Sequence, residues 1–115
     1  MKTITTDQLK ELLDSHWDGV LVEVLPAEYY REYRLPGAIH LPFDEHFEEH
    51  ARQALPDLHR QIVVYCLVRE CTASNEAGRR LEEIGYTDIW DYEEGKSAWR
   101  AAGLPIESEH IETHR

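Results

Sequence analysis

Apolar residues recur along this chain with two periods that take turns. Compact runs rich in β-branched residues read as strands: Val20-Leu21-Val22-Glu23-Val24, Ile62-Val63-Val64-Tyr65 and Ile89-Trp90-Asp91-Tyr92, with shorter ones at Thr3-Ile4 and Ala38-Ile39-His40-Leu41. Between them the spacing lengthens to that of a helix face. Leu9, Leu12 and Leu13 form one stripe, opened by Thr5 with Gln8 three residues on, the pattern of a capping box. Pro26 opens a short helix through Tyr29 and Tyr30. Phe43 to Leu55 reads as a helix with Asp44 as N-cap and Phe47, Ala51 and Ala54 inward. Ala73, Ala77, Leu81 and Ile84 predict a helix over Ala73–Glu83, closed by Gly85. A last helix, Ser97 to Ala102, carries Trp99 and stops at Gly103-Leu104-Pro105. Strand and helix alternate throughout, which predicts an α/β fold with a central, mostly parallel sheet and helices on both faces. One domain is expected over residues 1–106, followed by a loose polar tail over 107–115.

Length and composition are compatible with this and exclude several classes. A chain of 115 residues with 42% hydrophobic content buries a core without staples. A net charge of -11 argues against a nucleic-acid partner. It also repels anionic substrates, so any attraction for one must be local. No apolar run approaches a membrane span, and the first residues lack a signal-peptide core. A cytoplasmic location is expected, where thiols stay mostly reduced. Two cysteines do not make a disulfide scaffold; chemistry or chance explains them better.

The chemistry points to one place. The run Ile62 to Tyr65 ends at Cys66, the loop Leu67-Val68-Arg69-Glu70-Cys71-Thr72 follows, and then a helix begins. A strand, a tight loop and a helix N-terminus in that order make an anion pocket from backbone N–H groups and the helix dipole. A thiol there is held as its reactive thiolate. Cys66 is therefore the candidate nucleophile, and residues 67–72 the candidate binding loop. The alternative is that Cys66 is a small buried hydrophobe.

With these segments in place the chain resembles the rhodanese-like domain family, from about Thr3 to Glu107. Leu35-Pro36-Gly37-Ala38-Ile39-His40-Leu41-Pro42 is similar to its proline-glycine-alanine segment, and Ile62 to Cys66 to its active-site strand. Gly85-Tyr86, Asp91 to Gly95, Trp99 and Ala102-Gly103-Leu104-Pro105 match its last third. The resemblance implies a sulfurtransferase without a cofactor or metal. Cys66 would take a sulfane sulfur from thiosulfate, a polysulfide or a small persulfide. It would then pass that sulfur to a thiol, another nucleophile or an acceptor protein. A monomer or weak homodimer is expected.

Several departures from the family pattern bear on substrate choice. Arg69 and Cys71 replace the glycine and arginine usual after the cysteine, and the loop reads as longer, implying a wider pocket. The usual Asp-x-Arg reads Glu23-Val24-Leu25, implying the loss of a supporting ion pair.

Other residues admit plainer roles beside functional ones. Arg69 supplies the missing positive charge or simply points outward. Arg34 reaches the pocket mouth or does not. Cys71 resolves a persulfide or sulfenate on Cys66 through a disulfide, or packs as a small residue. Thr72 or Ser74 caps the following helix. Trp99 lines the pocket wall or fills the core. His46/His50 and His110/His114, each four apart, read as solvated faces rather than metal pairs. A phosphatase needs an arginine where Thr72 stands. A non-catalytic binding module and a Cys66/Cys71 thiol redox protein remain as alternatives.

Overall fold

A computed structural model describes residues 1–109. Five strands, β1 (Lys2–Thr3), β2 (Val20–Glu23), β3 (Ile39–His40), β4 (Ile62–Tyr65) and β5 (Ile89–Tyr92), alternate with five helices. These are α1 (Thr6–Asp14), α2 (Ala27–Glu32), α3 (Phe47–Ala54), α4 (Ala73–Glu83) and α5 (Gly95–Ala101). The sheet runs β1-β5-β4-β2-β3, and every pairing is parallel. β4 is the central strand, which is why its four residues are all apolar or aromatic and all buried.

The pleat divides the core in two. Ile62, Val64 and Cys66 face one way, against Phe47 and Ala51 of α3 and Ala77 and Leu81 of α4. Val63 and Tyr65 face the other, against Leu9 of α1 and Trp99 of α5. Cys66 thus shares the α4 side of the sheet.

Most predicted elements stand, and their edges shift for local reasons. The capping box is present: Thr5 Oγ1 accepts from the Gln8 N–H and Gln8 Oε1 from the Thr5 N–H. α3 begins at Phe47 rather than Phe43, because Asp44 turns the chain first, its Oδ1 accepting from the His46 N–H at 2.9 Å. Ala54 is exposed, not inward. α5 begins two residues early, at Gly95. Neither Thr72 nor Ser74 caps α4. Thr72 holds the N-cap position with helical backbone angles and no side-chain bond, and Ser74 is buried as the second residue of the helix. Trp99 fills the core, its Nε1 donating to the Pro105 carbonyl at 2.7 Å.

The start of the tail is docked rather than loose. Arg34 and Glu107 exchange both backbone hydrogen bonds, and Ser108 Oγ donates to the Glu32 carbonyl. His110 and His114 lie outside the described residues. Among the described residues no helix is long and apolar enough to cross a membrane.

Candidate active site

At the carboxyl end of β4 the chain leaves the sheet at Cys66 and returns into α4 at Ala73. In parallel α/β sheets this is where ligands bind. Val68 and Cys71 close a tight turn, the Cys71 N–H donating to the Val68 carbonyl at 3.1 Å, with Arg69 and Glu70 exposed at its tip. That turn brings Cys71 back onto Cys66. Their Cα atoms lie 6.3 Å apart, and the two sulfurs are joined as a disulfide. The sequence offered packing or pairing for Cys71; the structure has it paired. Cys66 is 1 % exposed, whereas Cys71 is partly exposed and opens onto a cavity of about 300 Å³.

The other wall of the loop is α5. Lys96 N–H donates to the Cys66 carbonyl at 3.0 Å and Ser97 N–H to the Leu67 carbonyl at 2.9 Å. A trans peptide sets its N–H opposite its C=O. Holding these two carbonyls toward α5 therefore turns the Leu67 and Val68 N–H groups away from it. Those two and the N–H groups of Arg69, Glu70 and Thr72 make five amides that carry no hydrogen bond to protein among the described residues.

The close approach of α5 depends on Gly95, whose φ is +83°. A Cβ there would lie 2.5 Å from the Leu67 carbonyl oxygen and 2.7 Å from the Val68 nitrogen. Gly95→Ala is accordingly expected to destabilise the fold by about 2–4 kcal/mol, from backbone strain plus displacement of the loop. Urea unfolding measures this, and a wild-type midpoint would mean the loop yields freely.

Beneath the loop is a buried ion pair, so the pair whose loss the Glu23-Val24-Leu25 departure implies has a substitute. Leu25 offers Glu23 no charge, but Lys96 does, with its Nζ 3.0 Å from Glu23 Oε2. The two side chains are 1 % and 0 % exposed. Tyr65 Oη donates to Glu23 Oε1 at 2.8 Å, and Lys96 Nζ also donates to the Tyr29 and Tyr33 carbonyls. Burial pulls the Lys96 ammonium below its usual range, and the bond and charge of Glu23 pull it back. Sequence periodicity passed over Lys96, because a lysine after a glycine reads as surface.

The two arginines stand away from the sulfur. Arg69 is 63 % exposed and 3.7 Å from Glu93 Oε1, so it lies at the cavity rim with its charge partly matched. Arg34 stacks on the Tyr30 ring, 4.4 Å from its centroid, and sits among Glu107, Glu109 and the Tyr30 carbonyl. None of these contacts links Arg34 to residues 66–72. His46 and His50 are exposed, their rings tilted to each other, and no group of three metal-ligating side chains occurs among the described residues. A larger cavity of about 410 Å³ lies near the amino end of β2, beside Trp17, Gly19 and Arg60, and contains no nucleophile.

Comparison with known proteins agrees with this geometry. The rhodanese-like domain matches residues 5–102. The chain is 33% identical over 87 residues to the HTH-type transcriptional regulator Rv0324 of Mycobacterium tuberculosis, covering 76% of this chain and 37% of that one. It therefore spans little more than a third of that relative's length. It is 28% identical over 105 residues to the thiosulfate sulfurtransferase GlpE of Actinobacillus succinogenes, covering 91% of this chain and 89% of the other. The solution structure of the rhodanese-like domain of Alr3790 from Anabaena superposes with a TM-score of 0.82 at 25% identity, over 94% of this chain and 80% of that one. The parallel sheet, the cysteine loop at the end of its central strand and these likenesses agree: the chain belongs to the rhodanese-like domain family.

Proposed function

We propose that this domain is a sulfurtransferase that loads sulfane sulfur on Cys66 and unloads it with Cys71. The supporting observation is the bond between the two cysteines, closed across one short loop at the carboxyl end of the central strand. In the reduced form the Cys66 thiolate attacks the sulfane sulfur of a donor such as thiosulfate, a polysulfide or a small persulfide. With thiosulfate the S–S bond breaks, sulfite departs with the electron pair, and Cys66 carries a persulfide. The free amides of the loop stabilise that anion as an oxyanion hole stabilises oxygen. Cys71 then attacks the inner sulfur, the outer sulfur leaves as hydrosulfide, and the disulfide is formed. When sulfur is passed on intact, a small thiol or an acceptor protein attacks the outer sulfur instead, and Cys66 departs with the electron pair as the thiolate. A covalent carrier divides one hard exchange into two easier ones.

Cys71→Ser separates loading from unloading. After reduction and exposure to thiosulfate or polysulfide, intact mass spectrometry is expected to show Cys71→Ser retaining one added sulfur. Wild-type protein is expected to end as the disulfide, with about one sulfide released per chain. Failure of Cys71→Ser to hold sulfur would sink the proposal. The same disulfide also favours a second reading, a thiol redox domain that carries no sulfur. That reading expects disulfide formation with ordinary oxidants, but no added mass and no sulfide.

A further inference from the structure

One buried group beside the cysteine pair has no part in the steps above. Asp91, in β5, is 1 % exposed, and its Oδ1 has no hydrogen-bond partner among the described residues. Its register partners in the sheet, Val64 of β4 and Thr3 of β1, carry no charge. Its side chain lines the cavity of about 300 Å³ onto which Cys71 opens, together with Thr72, Ser74 and Asn75. A core-facing strand position ordinarily takes an apolar residue, and a buried acceptor without a donor needs an explanation. A cavity of this size has room for several waters between the residues that line it.

We propose that Asp91 is the proton-exchange group of the cysteine pair, giving its proton to Cys71 when the disulfide opens and taking it back when the disulfide closes. The inference rests on the pairing of Cys66 with Cys71 as a working couple. Exposure sets the direction of attack. In the disulfide form Cys66 is buried and Cys71 faces the cavity, so an incoming thiolate reaches the Cys71 sulfur first. The disulfide bond breaks, and its electron pair leaves on Cys66, where the loop amides receive a thiolate. With a small dithiol as reductant, its second sulfur displaces Cys71 from the mixed disulfide. Cys71 departs with the electron pair and takes the proton from Asp91. The dithiol is oxidised by two electrons and loses two protons. Both go to solvent, and Asp91 stays a carboxylate until the disulfide closes. In closing, Cys71 returns its proton to Asp91 as its sulfur attacks the inner sulfur of the persulfide, and the outer sulfur takes a proton from solvent to leave as hydrosulfide.

The charges around Asp91 suit that exchange. Burial pushes its carboxyl above the ordinary range, and Glu93, just past the end of the strand, adds to the rise, while hydrogen bonding from Ser74 and Asn75 of α4 to the other side of the carboxyl pulls it back. Glu76 of α4 and Arg69 of the loop are the other charged groups lining the cavity, and Cys71 is its other titratable group once reduced. A carboxyl so placed keeps its proton to a higher pH than a surface aspartate does.

Two measurements test the proposal on the full chain. In wild-type protein, the carboxyl carbon of Asp91 is titrated by NMR in the disulfide and dithiol forms. Linkage requires the two midpoints to differ. Identical midpoints overturn the proposal, whatever any variant does. In Asp91→Asn, reduction by dithiothreitol at neutral pH is expected to slow by about tenfold or more, and its pH profile to lose the limb assigned to Asp91. An unchanged rate and profile overturn the proposal. If alkylation and mass show that no Cys66–Cys71 bond forms in solution, this inference falls together with the reading beneath it. A bond that forms beside an Asp91 with unshifted titration defeats this inference alone.

Discussion

Cys66→Ser is expected to lower sulfur transfer from thiosulfate or polysulfide by about a thousandfold or more, to the uncatalysed background. The loop amides cannot rescue serine. A hydroxyl needs a base to become a nucleophile, and no histidine lines the cavity beside position 71. The variant also loses the disulfide, worth about 2 kcal/mol for so short a loop, so a plain stability effect must be separated from chemistry. Cys71→Ser provides the control. It loses the same bond and should unfold at a similar urea concentration, yet it should still load sulfur. Transfer assays and intact masses on both variants decide the matter. Sulfur accumulating on Cys71 in Cys66→Ser protein would reverse the assigned roles.

What the bare chain disclosed follows from how far apart the cooperating residues lie. β4 and α4 were legible to the residue, because a β-branched run and a 3.6-residue stripe are local signals that burial then reinforces. Cys66 stood out for the same reason, at the end of that run. The pairing of Cys71 depends on a turn of four residues and was foreseeable as an alternative. Lys96 and Asp91 were not legible as parts of the site. Lys96 is buried because Glu23 lies 73 positions away in sequence and across the end of the sheet. Asp91 sits in a strand whose neighbours Trp90 and Tyr92 read as ordinary sheet residues, and only the cavity beneath the loop sets it apart. Arg34 shows the opposite error. Its position before the proline-glycine turn pointed toward the pocket, and partners contributed by residues 107–109 hold it elsewhere.

Lys96→Met is expected to lower stability at neutral pH by about 3–5 kcal/mol, because it strands a buried carboxylate instead of removing a pair. Glu23 would keep only the Tyr65 hydroxyl, and the Tyr29 and Tyr33 carbonyls would lose their donor. For a domain of this size that is a fall of about 10–20 °C in melting temperature. A second substitution identifies the cause: adding Glu23→Gln should recover part of the loss at neutral pH. Urea unfolding of the single and double variants gives the comparison. A double variant no more stable than Lys96→Met would show that lost carbonyl bonds, not the charge on Glu23, cause the damage. Sulfur loading should slow in the same variant, since the backbone of residues 96 and 97 holds the carbonyls of Cys66 and Leu67. A destabilised variant that loads sulfur at the wild-type rate would show that the loop keeps its shape without the pair beneath it.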